Sequence, residues 1–350
     1  MRARIGRILL GQTHVDRSAF TWRRPLVAAA VGAILVVVAI AAGAPAHAIP
    51  LAAGSLLVGI AGGPEPQGDR WRIMLWATVW VTFGATLGGL VSNASVWELL
   101  VVAVVAAGCG FVGVMGPRAA VVGVLTLVVY AVFAGTPDSH LSALETGALV
   151  ALGALVQVVV AVIPVAITHP RAFCGAEAHL GSLRSRLMPH LKTDDEFFRH
   201  GARLALAMVV ASLAGHFSGL PHQYWIPMTV AWISRPDRHG TTTKALARVL
   251  GTLAGVALSI IVIEGLHVQS YGIAILVGIG SFVLLAFIWA NYTIAVVGIT
   301  LMMIALFTLV GDPVGTTAIS RTIATVIAGV ITVLAALTWP ARPPAPGNTV

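Results

Sequence analysis

The chain is 350 residues long, 58% hydrophobic and only 10% charged, with a mean hydropathy of +0.93. An ordinary soluble domain carries about 25% charge, so a water-soluble enzyme, a disordered tail, a collagen-like fibre and a secreted disulfide scaffold are excluded, and an integral membrane protein remains. The 21 Lys+Arg against 13 Asp+Glu leave a net charge of +8; these cations are scattered over loops rather than gathered in one stripe, which points to cytoplasmic loops facing anionic lipid and not to nucleic acid.

In chain order, residues 1–24 form a polar segment with Arg2, Arg4, Arg7, Arg17, Arg23 and Arg24. Apolar runs follow near 25–43, 47–62, 73–92, 97–116, 119–135 and 143–167. Most are long enough to cross about 30 Å of hydrocarbon as helices, and none alternates at the period of two that barrel strands require. Arg23-Arg24, the first apolar run and Ala46-His47-Ala48 imitate a cleavable signal. The long polar region before them, and the place of this helix in the repeat below, argue that it is retained. A polar linker occupies 168–200, in which Thr193-Asp194-Asp195-Glu196 reads as a capping box with Thr193 as N-cap and Glu196 at N3. A second series runs near 201–217, 223–234, 244–264, 270–288, 291–310 and 317–339, and 341–350 is a short tail. The expected fold is all-α: a polytopic membrane protein of about twelve transmembrane helices, arranged as six-helix units 25–167 and 201–340.

Lys/Arg bias sets the orientation. With the N-terminus in the cytoplasm, Arg70, Arg72, Arg118, Arg171, Arg184, Arg186, Lys192, Arg199, Arg235, Arg238, Lys244, Arg248 and Arg342 all fall inside. The external loops then carry Glu98, Asp138, Glu264 and Asp312, and Arg321 is the one cation near the outer side. Trp22, Trp71, Trp97, Trp225, Trp289 and Trp339 sit near span ends, as interfacial anchors do. The excess of Arg over Lys, with abundant Ala, Val and Gly, fits a GC-rich bacterial genome and hence a bacterial cytoplasmic membrane with both termini inside. Cys109 and Cys174 fall in different environments and read as two inert thiols.

The halves look related. Residues 145–164 align with 321–340, AVVGV (120–124) with AVVGI (295–299), and GATLGG (84–89) with GTLAGV (251–256). Six is an even number, so such a repeat would be parallel, with its pseudo-axis along the membrane normal. Gly84/Gly88 and Gly251/Gly255 are GxxxG patterns, expected where helix backbones touch.

The second and eighth helices are short and broken. One begins at Ile49-Pro50 and ends at Gly62-Gly63-Pro64; the other carries Pro227 inside it and Pro236 just beyond. A proline leaves a carbonyl unpaired, which hydrocarbon tolerates only beside protein or a wet cavity. Matching interrupted helices in two halves are a pointer to a transport site, so the two are expected to flank a common wet crevice. Tyr224 and Trp225 flank the outer end of the eighth helix, while Arg235, Arg238, Lys244 and Arg248 crowd its inner end and would attract an anion. Glu145 and Arg321 hold equivalent repeat positions with opposite charge; an ion pair or proton-linked gate is expected if their helices meet.

No enzyme chemistry is expected. Gly108-Cys109-Gly110-Phe111-Val112-Gly113 matches a dinucleotide pattern but lies inside an apolar span with no strand before it. Walker A, H-E-x-x-H and G-x-S-x-G motifs do not occur. His169, His179, His190 and His200 lack ligand spacing, so neither metal nor other cofactor is expected. Asn93-Ala94-Ser95 would be a silent sequon in a bacterium.

The run YWIPMTVAWISRPDRHGTTTKA leading into ARVLGTLAGVALS, with Arg248, Gly251, Thr252 and Gly255 as an Arg-x-x-Gly-Thr-x-x-Gly helix start, resembles the FUSC family of fusaric acid resistance and aromatic acid exporter-like membrane proteins. Tyr292, Thr300, Arg321 and Gly329 look like its later elements. The similarity covers 200–340, and the first half only through the repeat; longer members carry a large cytosolic domain between the halves, where this chain has only the 168–200 linker. The resemblance implies a secondary exporter of aromatic or similar weak acids, driven by protons. Tyr224, Trp225, Pro227, Arg235, Arg238, Lys244 and Arg248 are the candidate substrate residues, and Glu145 and Arg321 the proton-coupling or gating pair. Partners would be a small organic anion and the lipid bilayer, with a homo-oligomer compatible and no nucleic acid. The alternative is a non-transporting scaffold or partner subunit of an envelope complex, docking through 168–200.

Overall fold

The computed structural model describes residues 15–63, 67–91, 96–136, 141–168, 186–193 and 195–338. Arg2, Arg4, Arg7, Pro64, Asn93, Asp138, His169, Arg171, Cys174, His179, Arg184, Asp194, Trp339, Pro340 and Arg342 lie outside the described residues. Helices follow the order read from the sequence: α1 (Arg23–Ala41), α2 (Ala48–Ala61), α3 (Gln67–Val91), α4 (Val96–Phe111), α5 (Pro117–Ala134), α6 (Ala143–Thr168), α7 (Glu196–Ser218), α8 (Trp225–Ile233), α9 (Arg238–Ser259, prolonged by a π turn to Glu264), α10 (Ser270–Phe287), α11 (Tyr292–Leu309) and α12 (Val314–Thr338). No strand occurs among the described residues. Ten of the helices are long and apolar enough to cross a membrane, and the chain is an all-helical, multi-pass membrane protein.

The two exceptions are α2, with 14 residues, and α8, with 9. At 1.5 Å per residue they reach roughly 21 Å and 14 Å, short of the ~30 Å hydrocarbon layer. A helix that ends within that layer leaves carbonyls which lipid cannot satisfy. Both are therefore enclosed by protein: all nine residues of α8 and most of α2 are buried. The long helices turn Val104, Leu144, Leu206 and Ile275 outwards, as a lipid-facing belt must.

Pro50 and Pro227 are each the third residue of their helix. An N–H in the first turn has no intrahelical acceptor, so the ring removes no bond there. This corrects the expectation of a helix broken in its middle by Pro227; the proline opens α8. Its end is set by Ser234, whose backbone turns extended (ψ 129°), before Pro236, which disfavours helical backbone at Arg235.

The α7 cap is likewise not at Thr193. Asp195 holds that place, accepting from the amides of Phe197 (2.8 Å) and Phe198 (3.3 Å), and Glu196 is the first helical residue. One carboxylate serves two orphan amides, which a hydroxyl does less well. Asp237 caps α9 in the same manner, accepting from Gly240 N–H. The helix therefore begins at Arg238 and not near 244, and the cations after it stand on a helix instead of a loop.

Within the halves, α3 packs on α5 and α6, and α9 on α11 and α12; α2 packs on α6, and α8 on α12. Across them, α1 lies against α10, α7 against α4, and α8 against α5. The GxxxG positions are the contact points. A Cβ on Gly84 or Gly88 would stand 2.8 or 2.6 Å from the carbonyl oxygens of Thr126 and Tyr130, and one on Gly251 2.5 Å from that of Thr293. The expected common crevice between α2 and α8 is replaced by this arrangement, in which each short helix packs on the last helix of its own half.

Candidate functional site

The capped start of α9 sets the register of its cations. Lys244, Arg248 and Thr252 are four residues apart and share one face. Arg248 lies about 15 Å along the helix and is 1% exposed; its Nε and Nη2 have no hydrogen-bond partner. On α12, Thr317 and Arg321 share a face in the same way. Arg321 stands about 10 Å below the start of its helix and is 0% exposed. Its Nε, Nη1 and Nη2 are all unpaired.

These two arginines are electrostatically coupled, and Tyr224 and Tyr292 act on Arg321 as well. The Arg321 guanidinium lies 5.2 Å from the centre of the Trp225 ring, and the Lys244 ammonium 4.6 Å from that of Tyr292. Arg235 and Arg248 both lie within Coulombic reach of Lys244. A file of cations, Arg235, Lys244, Arg248 and Arg321, thus leads from the inner end of α8 into the middle of the second half.

No carboxylate forms an ion pair with any of the four among the described residues. A guanidinium at helix centre costs about 2.5–3.5 kcal/mol on insertion scales, and a cation–π contact offsets only ~0.5–2 kcal/mol. The hydroxyls of Thr252, Thr300, Thr317, Ser320, Tyr224 and Tyr292 are buried and unpaired too. These hydroxyls can donate as well as accept; with two guanidiniums and no carboxylate among the described residues around them, the core is complementary to a small anion.

An aromatic cover closes this core at the end assigned to the outside. The His222 ring lies 4.4 Å from Trp225 and 4.7 Å from Phe307, centre to centre, and its Nε2 is 3.4 Å from Asp312 Oδ2. Burial lowers the His222 pKa below its ordinary 6.5; Asp312 pulls it up, and Arg321 pushes it down. The folded state therefore prefers the neutral ring, and this contribution to stability is present above pH 6.5 and lost as pH falls through the lowered value. Between pH 7.5 and 5, approximately the range in which a histidine titrates, thermal unfolding of His222→Gln should lose less stability than the wild type. Equal slopes for the two proteins would contradict this.

The remaining candidates separate. Pro227 only opens α8. Arg235, besides its charge, ties the loop through its backbone: its carbonyl accepts from Arg203 Nη2 at 2.7 Å, and its N–H donates to Thr241 Oγ1 at 3.1 Å. Arg238 donates from Nε and Nη2 to the carbonyls of Ala336 and Leu337, both at 3.0 Å, which satisfies the end of α12 and gives this residue a structural duty. Glu145 is 46% exposed, with Oε1 3.6 Å from His47 Nε2. The expected pairing of Glu145 with Arg321 is not formed. Glu145 is the third residue of α6 and Arg321 the eighth of α12, so one stands exposed at a helix start and the other is buried two turns into a helix of the other half.

In the first half the buried polar residues among those described are all neutral. Ser55 Oγ donates to Gln157 Oε1 at 3.0 Å between α2 and α6, with both residues buried. Sequence reasoning passed over Gln157, His222, Phe307 and Thr317; a single polar residue in a long apolar run was the signal for Gln157. No group of three or more His, Cys, Asp or Glu suited to a metal occurs among the described residues.

Residues 206–335 match a family model described as "Fusaric acid resistance protein-like", which bears out the resemblance read from the sequence and contains the whole cation core. The "Inner membrane protein YccS" of Escherichia coli (strain K12) is 30% identical over 134 residues, 38% of this chain and 18% of that protein. The "Uncharacterized protein YhfK" of the same organism is 32% identical over 127 residues, 34% of this chain and 17% of its own. The "Uncharacterized protein slr1298" of Synechocystis is 30% identical over 86 residues, 23% and 11%. The similarity thus spans less than a fifth of these relatives' length. No solved structure matches the chain.

Proposed function

We propose that this chain, whose second half matches the fusaric acid resistance protein-like family, is a secondary active transporter: a proton-linked exporter of aromatic or other hydrophobic weak acids across the cytoplasmic membrane, with both termini inside and no catalytic step. The observation that carries the reading is the buried pair Arg248 and Arg321 with unpaired donors and no carboxylate partner. A substrate carboxylate would take the acceptor place in two charge-assisted contacts, and its ring would meet Trp225 and Tyr224. Lys244 and Arg235 would draw the anion inwards from the cytoplasmic end. Glu145 as the proton-coupling group has only its contact with His47 in its favour; His222, which like Arg321 lies against Trp225, and its neighbour Asp312 are better placed to exchange a proton with the core.

We also read the two six-helix units as a parallel duplication, supported by the paired packing of α3 and α9 and by the Ile-Pro openings of α2 and α8. The name of the E. coli relative, an inner membrane protein, supports the location.

The test is transport in proteoliposomes holding the full chain, with benzoate and larger aryl carboxylates as probes. An imposed pH gradient should move at least one of them several-fold faster than in protein-free vesicles, and Arg248→Gln should abolish the difference. A panel of aryl acids that shows no gradient-dependent movement would overturn the proposal.

A further inference from the structure

The two buried arginines of the cation core stand at different depths. Helices α9 and α12 run antiparallel: Arg238, at the start of α9, donates to the carbonyls of Ala336 and Leu337 at the end of α12, and a Cβ on Gly329 would meet Val249 Cγ2 at 4.0 Å. Arg248 is therefore level with Gly329. Arg321 precedes Gly329 by two helical turns, so its backbone lies about 12 Å nearer the start of α12. The Trp225 ring, 5.2 Å from the Arg321 guanidinium, holds it at the end where α8 begins, and Arg248 acts on it from the other level.

Between these levels lie further unpaired polar groups. Thr252 is one turn beyond Arg248 on the same face of α9. Thr300 of α11 faces Gly255, where a Cβ would stand 2.6 Å from Thr300 Cβ, and Gly255 is about one turn further again. Both hydroxyls are buried and unpaired, as is Trp225 Nε1, which can only donate. Neither arginine pairs with a carboxylate among the described residues. A ligand with one carboxylate neutralises one guanidinium and leaves the other charge buried and uncompensated, which is the costly arrangement. Two carboxylates at opposite ends of one ligand, each on its own guanidinium, compensate both through charge-assisted contacts. Two carboxylates on neighbouring carbons do not span the two levels.

We infer that, given the exporter reading on which this rests, the cation core takes an elongated dianion, with one carboxylate on Arg248, the other on Arg321, and an aryl or similar spacer passing Thr252 and Thr300 between them. The preferred cargo is then a diacid with its charges at opposite ends, ahead of a monoacid such as benzoate.

The full chain in mild detergent is titrated calorimetrically at neutral pH, where the carboxyls are ionised, with terephthalate, phthalate, 4-carbamoylbenzoate and benzoate as probes. 4-Carbamoylbenzoate keeps the shape of terephthalate with one charge fewer, and phthalate keeps both charges but sets them side by side. Terephthalate should bind about tenfold more tightly than either, as the loss of one charge-assisted hydrogen bond implies. Arg248→Gln should weaken terephthalate to the level of 4-carbamoylbenzoate. Lys192→Gln removes an equal charge from an exposed side chain and should leave the preference unchanged. If Arg248→Gln does not fold, the probe series on the wild type carries the comparison. Terephthalate bound no better than 4-carbamoylbenzoate or phthalate, or a preference that survives Arg248→Gln or is lost in Lys192→Gln, would overturn the dianion; benzoate binding in that case leaves the exporter reading in place. No binding of any probe would overturn both.

Discussion

Arg321→Met should make the ligand-free protein more stable and leave it unable to transport. The arginine is wholly buried, all three guanidinium nitrogens are unpaired, and the charge that acts on it most is another cation, Arg248. Replacing a buried charge with an apolar side chain of similar volume is commonly neutral or stabilising by about 1–4 kcal/mol. The contact with Trp225 that is lost returns only ~0.5–2 kcal/mol, so a net gain of ~1–3 kcal/mol is expected for the empty protein. A residue that destabilises the apo state while it completes a binding site is the usual form of a trade between stability and activity. The measurement is thermal unfolding in detergent, with and without an aryl carboxylate. Wild type should be the less stable protein alone, and the one that responds to the acid. A variant that unfolds more readily than wild type in the absence of acid would mean that Arg321 is already satisfied, and the anion site would lose its basis.

Gly153→Ala should abolish the folded protein, whereas Gly329→Ala should be tolerated. The two glycines coincide when the halves are aligned, and as sequence they are interchangeable. In the structure, a Cβ on Gly153 would be driven into the carbonyl oxygen of Leu51, since α2 and α6 touch there backbone to backbone; Gly54 makes the reciprocal contact with Val150. Neither partner is a flexible side chain that can move aside, so the cost should exceed the ~1–3 kcal/mol of ordinary overpacking. At Gly329 the nearest atom to an added Cβ is Val249 Cγ2 at 4.0 Å, an ordinary contact, and alanine there should contribute roughly 0.5–1 kcal/mol through its better helix propensity. Yield of monodisperse protein and melting temperature separate the two. Comparable behaviour of both variants would show that α2 and α6 are not in backbone contact.

The difference between those glycines marks how far the sequence could be read. Six helices, a linker and six more were legible, with most ends within a few residues, because hydropathy and proline placement are local properties. The close backbone contacts at Gly84, Gly88, Gly251 and Gly255 were legible too, since small residues four apart in a span have few other uses. Helix starts were read less well. Asp195 and Asp237 each competed with neighbouring polar residues for the cap, and only the folded backbone shows which side chain reaches the amides. The site was legible in part. Of the candidates, Trp225 lies on Arg321 and Arg248 acts on both Lys244 and Arg321, so Arg321 joins these residues from a position that alignment had paired with Glu145.

From residue order alone it followed that this chain lives in a bilayer, which segments are helices, and that α2 and α8 differ from the rest; each of these depends on side chains within one or two turns of each other. Only the packed structure decided which cations are buried. Arg238, Arg248 and Arg321 are the same residue type in similar surroundings along the chain, yet one ends on the carbonyls of α12 and the other two are enclosed without a partner. Depth and company in a helical bundle depend on where each helix begins and on which neighbour it meets, and those are set by residues far away in the sequence.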